Sequence, residues 1–268
     1  MDRAAARCAS GHCSPLPAGG DAADPGLQRV SLVVHRVRAI NEPGSENLVH
    51  DDEFARRLGF KGGLVPGVAV YGYMAVLPAR LWGEQWLHRG TMSARFLKPV
   101  YDGEEVTVTG SAAGETMELE LRNPEGELCA VAQTSASAPP EAPSVASYPS
   151  APLPAVAGPP AFVEGQSLGS LETSLWLHDH AWPARLANQA LVANVRLPPW
   201  IHVESRTRHL GPVRDGQPVV VRGLVAGLWE RRGHRFVDLD IIVLAEGSSP
   251  VAQVRHVAIY ELAQLRAG

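Results

Sequence analysis

The sequence is poor in cysteine and carries no excess of positive charge. Three cysteines in 268 residues are an odd number in a long chain, unlike the dense cysteine framework of small secreted domains. The chain has 24 Lys and Arg against 28 Asp and Glu, a formal net charge of −4, which argues against an affinity that comes from neutralising phosphates. We therefore expect a cytoplasmic protein that does not bind nucleic acid.

Several motifs of common enzyme classes are also missing. The sequence has no glycine-rich phosphate loop and no G-x-S-x-G elbow, so nucleotide hydrolysis and α/β-hydrolase chemistry are disfavoured. Cys8, His12 and Cys13 lie close together but lack a further pair of ligands, so we predict no metal site. Residues 1–25 lack the continuous apolar core of a signal peptide. We expect neither a metal nor an organic cofactor.

One apolar stretch approaches the length of a membrane span. Residues 62–81 include Pro66, Pro78 and four glycines, and they lead directly into the polar Glu84 and Gln85. A helix that is apolar on all sides lies either in lipid or inside a protein. Because the flanking segments look like strands of a globular sheet, we predict a helix buried in protein, with no membrane partner.

The chain has 22 prolines, and their distribution indicates where the domains begin and end. Residues 1–28 are rich in Ala, Gly, Ser and Pro without a period, which predicts a disordered tail. Eight prolines between residues 136 and 165 remove backbone donors and predict an extended linker. We therefore expect two domains of similar size, at residues 29–135 and 166–268.

The two halves repeat each other. Eight residues match at a constant offset of 113, which indicates an internal duplication: Arg95, Pro99, Val100, Asp102, Gly103, Val106, Val108 and Gly110 recur as Arg208, Pro212, Val213, Asp215, Gly216, Val219, Val221 and Gly223.

Each half shows one strand, then a helix, then four strand-like runs. In the first half the predicted strands are residues 30–37, 90–97, 104–111, 116–122 and 127–135, with helices at 53–58 and from Gly67. In the second half they are 171–177, 200–209, 217–228, 235–244 and 251–260, with a helix at 182–196. A central helix with no polar face requires an antiparallel sheet that curls around it. This predicts an α+β double hot-dog, two sheets each wrapped around a helix.

The segment before the first apolar helix carries a recognisable motif. It resembles the signature of the MaoC-like, or R-specific enoyl-CoA hydratase, family: G-D-x-N-P-hydrophobic-H, a short D-x-x-F-A-like helix, G-F, and hydrophobic-V-H-G at the start of the central helix. The residues on matching features are Gly44, Asn47, Val49, His50, Asp52, Phe54, Ala55, Gly59, Phe60, Val65 and Gly67. Two positions depart from the pattern, because Ser45 stands where the family has its catalytic aspartate and Pro66 where it often has a histidine.

The resemblance implies hydration of a 2-enoyl thioester, or dehydration of an (R)-3-hydroxyacyl thioester, carried on CoA or on a carrier protein. His50 is then the acid or base, since an imidazole titrates near neutral pH. Asn47 organises the site, and the backbone near Gly67, with Gly63 and Val65, binds the substrate and its developing oxyanion. Ser45 is able to hold water but not to act as a base. Either Glu46 supplies the missing carboxylate, or the reaction is weakened or changed.

Structural interpretations of the same residues remain open. Asn47, Asp51 and Asp52 suit helix caps, and the pair at Gly62 and Gly63 suits a tight turn. Two other functions fit the fold: a thioesterase with Glu46 or Asp52 as base, and an inactive subunit that binds acyl thioesters. Sheets of this kind usually pair through their edges or faces, so we also expect a homodimer or a larger homo-oligomer.

Overall fold

The computed structural model describes residues 31–41, 47–137 and 141–266. Several sequence predictions lie outside these ranges: the tail at 1–28, the group formed by Cys8, His12 and Cys13, the motif residue Gly44, and the two candidate site residues Ser45 and Glu46.

The elements follow the predicted order closely. The strands are β1 (Ser31–Arg38), β2 (Thr91–Phe96), β3 (Glu105–Ala113), β4 (Thr116–Arg122), β5 (Leu128–Ser135), β6 (Leu171–Ser174), β7 (Ile201–His209), β8 (Pro218–Arg231), β9 (His234–Ala245) and β10 (Ser249–Glu261). The helices are α1 (Asp52–Arg57), α2 (Gly67–Trp82), α3 (Glu84–Arg89), α4 (Trp182–Asn194) and α5 (Ala263–Arg266). The sequence patterns do not predict the short helices α3 and α5.

The ten strands form one antiparallel sheet with the order β1-β3-β4-β5-β2-β7-β10-β9-β8-β6. Counted from each outer edge of the sheet, the strands of the two halves have the same order: β1-β3-β4-β5-β2 in the first half and β6-β8-β9-β10-β7 in the second. This agreement is expected of a duplication. The halves meet where β2 pairs with β7, with Thr91 opposite Arg208 and Arg95 opposite Glu204. The two predicted sheets are therefore joined edge to edge into a single sheet.

Each half packs one helix into the concave side of its part of the sheet. Helix α2 buries residues on all sides, among them Tyr71 and Met74, against the core strands of the first half. Helix α4 buries one side in the second half through Leu186 and Leu191, while Gln189 and Val192 on its other side are exposed. The prediction of a helix with no solvent face is therefore wrong for α4. Burial of this apolar surface, at roughly 25 cal/mol per Å², stabilises the wrapped arrangement. No helix within residues 31–41, 47–137 and 141–266 is long and apolar enough to cross a membrane.

The proline-rich segment packs against the second half. Over residues 141–165 its regular structure is a single 3-10 turn, Val145–Ser147. Tyr148 is buried beside Ile242 and Leu244, and its hydroxyl donates to Asp240 Oδ1 at 3.0 Å. The segment thus covers the face of β9 that does not contact α4.

Candidate active site

His50 is held from three directions. It ends the 3-10 turn Leu48–His50, where its backbone N–H donates to Asn47 O at 3.0 Å. Its carbonyl accepts from Asn41 Nδ2 at 2.7 Å, and its ring Nδ1 lies 2.6 Å from Leu64 O. A carbonyl oxygen only accepts, so Nδ1 carries the hydrogen and Nε2 carries the lone pair of the neutral ring. The Nε2 atom is therefore the basic atom of His50.

Asn47 connects His50 to the second half of the chain. Its Nδ2 donates to Trp200 O at 2.9 Å, and its Oδ1 accepts from Trp200 N at 3.2 Å. The same Nδ2 lies 3.5 Å from His50 Nε2. Asn47 also caps the 3-10 turn, through Val49 N–H at 3.4 Å. Asn47 therefore caps the turn, as one interpretation predicts, and the same side chain contacts His50 and Trp200.

His50 and the first turn of α2 line one cavity of about 240 Å³. Helix α2 begins at Gly67 with Pro66 as its N-cap, so its first amides have no partner within the helix and its positive dipole end faces this region. Val65 also lines the cavity, but its own N–H donates to Val100 O at 2.8 Å. Of these two residues, Gly67 is therefore the better placed to stabilise a negatively charged ligand oxygen with its backbone N–H.

Gly63 does not line this cavity. Its N–H donates to Asp52 Oδ1 at 2.8 Å, and an added Cβ would overlap the carbonyl oxygen of His50. The glycine is required because two stretches of backbone meet there. It supports His50 from behind, away from the space where a substrate would lie.

The carboxylates at 51 and 52 have structural partners. Asp51 caps α1 through Phe54 N–H at 2.8 Å. The pKa of Asp52 is lowered first by the hydrogen bond from Gly63 and then by Arg56, whose guanidinium lies 2.8 Å away. Neither aspartate lines the cavity.

The second half contributes polar residues that the motif does not contain. His202, on β7, and Asn188, on α4, line the same cavity as His50. Both have a buried atom without a hydrogen-bond partner among the described residues, His202 Nδ1 and Asn188 Oδ1. Trp200 and Phe96 supply apolar walls. The sequence analysis did not identify either polar residue, and no local pattern marks them.

A larger groove opens from the site toward the surface. It encloses about 920 Å³ and shares Asn47, His50, Pro66, Asn188 and Trp200 with the cavity. Its outer part runs along α4 and the segment at 156–157, and it carries Arg185 and Arg196. Arg185 is paired with Asp179 at 2.7 Å, whereas Arg196 is exposed.

Sequence comparison does not identify the protein. No family model matches the chain, and a search of curated proteins finds no significant match. Comparison of structures is informative. A conserved hypothetical protein from Mycobacterium tuberculosis, described as having a double hotdog fold, superposes with a TM-score of 0.58 at 13% identity, over 87% of this chain and 96% of that one. The chain has a double hot-dog fold.

Two further similar structures belong to different enzyme types. One is a putative MaoC domain protein dehydratase from Chloroflexus aurantiacus, with a TM-score of 0.53, 10% identity and coverage of 88% of this chain and 96% of that one. The other is a putative oleoyl thioesterase from Lactobacillus plantarum, with a TM-score of 0.51, 11% identity and coverage of 87% and 98%. At these identities the likeness establishes the double hot-dog fold, and the activity has to be argued from the site.

Proposed function

We propose that this double hot-dog protein is a hydratase or dehydratase that interconverts 2-enoyl and (R)-3-hydroxyacyl thioesters carried on CoA or on a carrier protein. The observation that carries the proposal is the single cavity lined by His50 and by the first turn of α2 at Gly67. A proton carrier and an amide suited to negative charge thereby face one cavity, as addition of water to an enoyl thioester requires.

In the hydration direction, His50 Nε2 takes a proton from water while the water oxygen bonds to C3 of the substrate. The electron pair of the double bond moves onto the thioester, and the enolate oxygen lies against the Gly67 amide. The imidazolium of His50 then returns the proton to C2, which regenerates the neutral ring. Dehydration is the same sequence in reverse.

Asn47 keeps His50 in place for both transfers. Its paired hydrogen bonds with Trp200 fix the amide plane, and its Nδ2 faces the basic nitrogen of the imidazole. The acyl chain occupies the cavity, and the thiol arm leaves along the groove, where Arg196 meets the phosphates of the carrier. The proposal keeps Ser45 as the residue that holds the water and Glu46 as the carboxylate that replaces the family's aspartate.

The test is turnover of crotonyl-CoA and of longer 2-enoyl-CoAs by the purified protein, followed by loss of the enoyl absorbance. We expect His50→Ala to lower kcat about 10²- to 10⁴-fold. The matched control is His35→Ala, since His35 is also half-buried but lies on β1 and does not line the cavity. No turnover by the wild type, or equal rates for wild type and His50→Ala, would refute the proposal.

Because hydrolysis of the thioester also removes this absorbance, free thiol and the acyl product are measured in the same reaction to separate the other functions. A thioesterase would release free thiol with no change at the double bond. Asp52 is a poor base for that reaction because Gly63 and Arg56 engage its carboxylate outside the cavity. An inactive binding subunit would show thermal stabilisation by acyl-CoA without product.

A further inference from the structure

The cavity beside His50 has an end that the groove does not reach. Five of the residues that line the cavity also line the groove, but Phe60, Leu97 and Val203 line the cavity alone. Leu97 is 47% exposed, and Phe60 and Val203 are half-buried. Since Leu97 contacts the cavity and is also open to solvent, only surface side chains separate this end of the cavity from water.

The backbone at this end is fixed, whereas the side chains have room on their solvent side. The N–H groups of Leu97 and Lys98 both donate to Cys129 O, at 2.7 and 3.1 Å. Phe60 follows α1, and its N–H donates to Ala55 O at 3.1 Å. The rim of the cavity therefore keeps its position while the side chains of Phe60 and Leu97 are free to turn outward.

The groove and this end of the cavity differ in charge. The groove carries Arg185 and Arg196, and no carboxylate of the described residues lines it. The lining of the cavity has one charged residue within the described ranges, Lys98, whose Nζ lies 2.6 Å from Glu127 Oε1. Arginine is suited to phosphates, and an apolar lining is suited to an alkyl chain. This difference favours the thiol arm in the groove and the acyl chain at the Leu97 end.

The cavity is too small for a long acyl chain. Its volume of about 240 Å³ has room for about eight groups the size of water, at ~30 Å³ each, and a methylene is of similar size. Its side walls include the core residues Val49, Val70 and Val100, which are at most 4% exposed. A close-packed core behind these walls leaves no space for further methylenes. A chain of more than about eight carbons therefore has to leave past Phe60 and Leu97.

We propose that Phe60 and Leu97 form an outlet for the acyl chain, so that the site takes long-chain 2-enoyl thioesters whose far ends extend into solvent. This inference rests on the proposed function and names its substrate class. Each methylene that enters the cavity strengthens binding about fourfold. Methylenes beyond the outlet remain in water and add nothing, so affinity reaches a plateau with chain length.

The first test is a chain-length series of 2-enoyl-CoAs, from four to sixteen carbons, each kept below the concentration at which it forms micelles. We expect kcat/KM to rise about fourfold per methylene until the chain has about eight carbons, and to stay constant from there on. A collapse of kcat/KM beyond that length would show a closed cavity and overturn the outlet. A rise that continues to sixteen carbons would overturn it as well, because the chain end would then be buried.

The second test narrows the outlet with Leu97→Trp. The matched control is Leu81→Trp, since Leu81 is 44% exposed, lies near the end of α2 and does not line the cavity. We expect Leu97→Trp to lower kcat/KM for 2-hexadecenoyl-CoA about tenfold more than for crotonyl-CoA, and Leu81→Trp to change neither. Equal losses for both substrates in Leu97→Trp would place the thiol arm at Leu97, and no loss would remove Leu97 from the path. Either result would overturn the outlet. Thermal melting verifies that both variants are folded.

The third test locates the chain end without turnover. The probe is a saturated undecanoyl-CoA with a dansyl group at its far end, bound to the purified protein and titrated with iodide. We expect octanoyl-CoA, which fills the cavity, to displace the probe, and we expect iodide to quench the bound dansyl group because it lies in solvent. A dansyl group shielded from iodide, or a probe that octanoyl-CoA does not displace, would overturn the outlet.

The two proposals fail in different ways. If wild type hydrates no enoyl-CoA but the bound dansyl group is quenched and octanoyl-CoA displaces the probe, the hydratase assignment is wrong and the outlet stands. If wild type hydrates crotonyl-CoA but its kcat/KM collapses beyond eight carbons, the hydratase assignment stands and the outlet is wrong.

Discussion

A methyl group at Gly67 tests how tightly the two halves meet at the site. In Gly67→Ala the new Cβ would lie 2.7 Å from His202 Nδ1 and 3.1 Å from its Cβ and Cγ. Ordinary carbon–nitrogen contacts begin near 3.4 Å, so the ring has to retreat by about 0.7 Å in a close-packed interior. The ring has little room, because Phe96 packs edge-on against it and His256 stacks on it, with centroids at 4.7 and 4.2 Å.

Overpacking of this kind costs about 1–3 kcal/mol in free energy of unfolding. In a chain of this size, each kcal/mol corresponds to about 2–4 °C in Tm, so we expect Gly67→Ala to melt about 2–12 °C lower. Because Gly67 lines the cavity and its amide is the proposed oxyanion donor, we expect kcat for crotonyl-CoA to fall as well.

Calorimetry and the hydration assay measure both effects. Gly211→Ala is the control, since its new Cβ would meet only Pro250 O, at 4.0 Å. The double variant Gly67→Ala, His202→Ala removes the clash, so the penalty of the glycine change should largely vanish when it is measured in the His202→Ala background. A Gly67→Ala protein with unchanged Tm and unchanged kcat would refute the packing argument.

Three further predictions concern Asn47, buried histidines and the groove. Asn47→Ala removes both hydrogen bonds to the Trp200 backbone, so urea titration should show a loss of about 1–3 kcal/mol together with a lower kcat; unchanged stability would contradict the bridging role. Burial lowers the pKa of His209 to about 4 and that of His256 to about 3. In the unfolded chain both histidines have a pKa of about 6.5. Below pH 6.5 the unfolded chain therefore binds more protons than the folded protein does. The free energy of unfolding should therefore fall by about 2 kcal/mol per histidine between pH 6.5 and pH 5, and His209→Phe should reduce that slope in urea titrations; a flat profile would count against burial of neutral rings. Arg196→Ala should raise KM for crotonyl-CoA but not for the N-acetylcysteamine thioester, which lacks phosphates, and equal effects on both substrates would exclude phosphate contact.

The fold was largely predictable because its signals are local. Helix α2 begins at Gly67 as predicted, where Pro66 suits a helix start and no charged residue follows until Arg80 in the last turn. The duplication read from the offset of 113 places Gly110 and Gly223 on the equivalent strands β3 and β8, where in each case a side chain would overlap the neighbouring strand's residues. Helix α3 was not predictable, since Glu84–Arg89 is a single short turn that owes its place to burial of Trp86.

The candidate site was predictable only in its first half. The spacing of Asn47, His50 and Gly67 is local in sequence, because a short turn and a helix start position these residues. Nothing in that spacing reveals that Asn47 pairs with Trp200, which is 153 residues away. The domain limits at 29–135 and 166–268 and the homo-oligomer remain predictions.

The sequence by itself determined the repeated strand order, the apolar helix in each half and the segment that bears His50, because periodicity, caps and turns act over a few residues. Only the tertiary structure decided what lies opposite His50. Joining β2 to β7 brings His202 against Gly67 and Asn188 into the same cavity, and the contacts that do so lie between residues more than a hundred positions apart, where no local pattern records them.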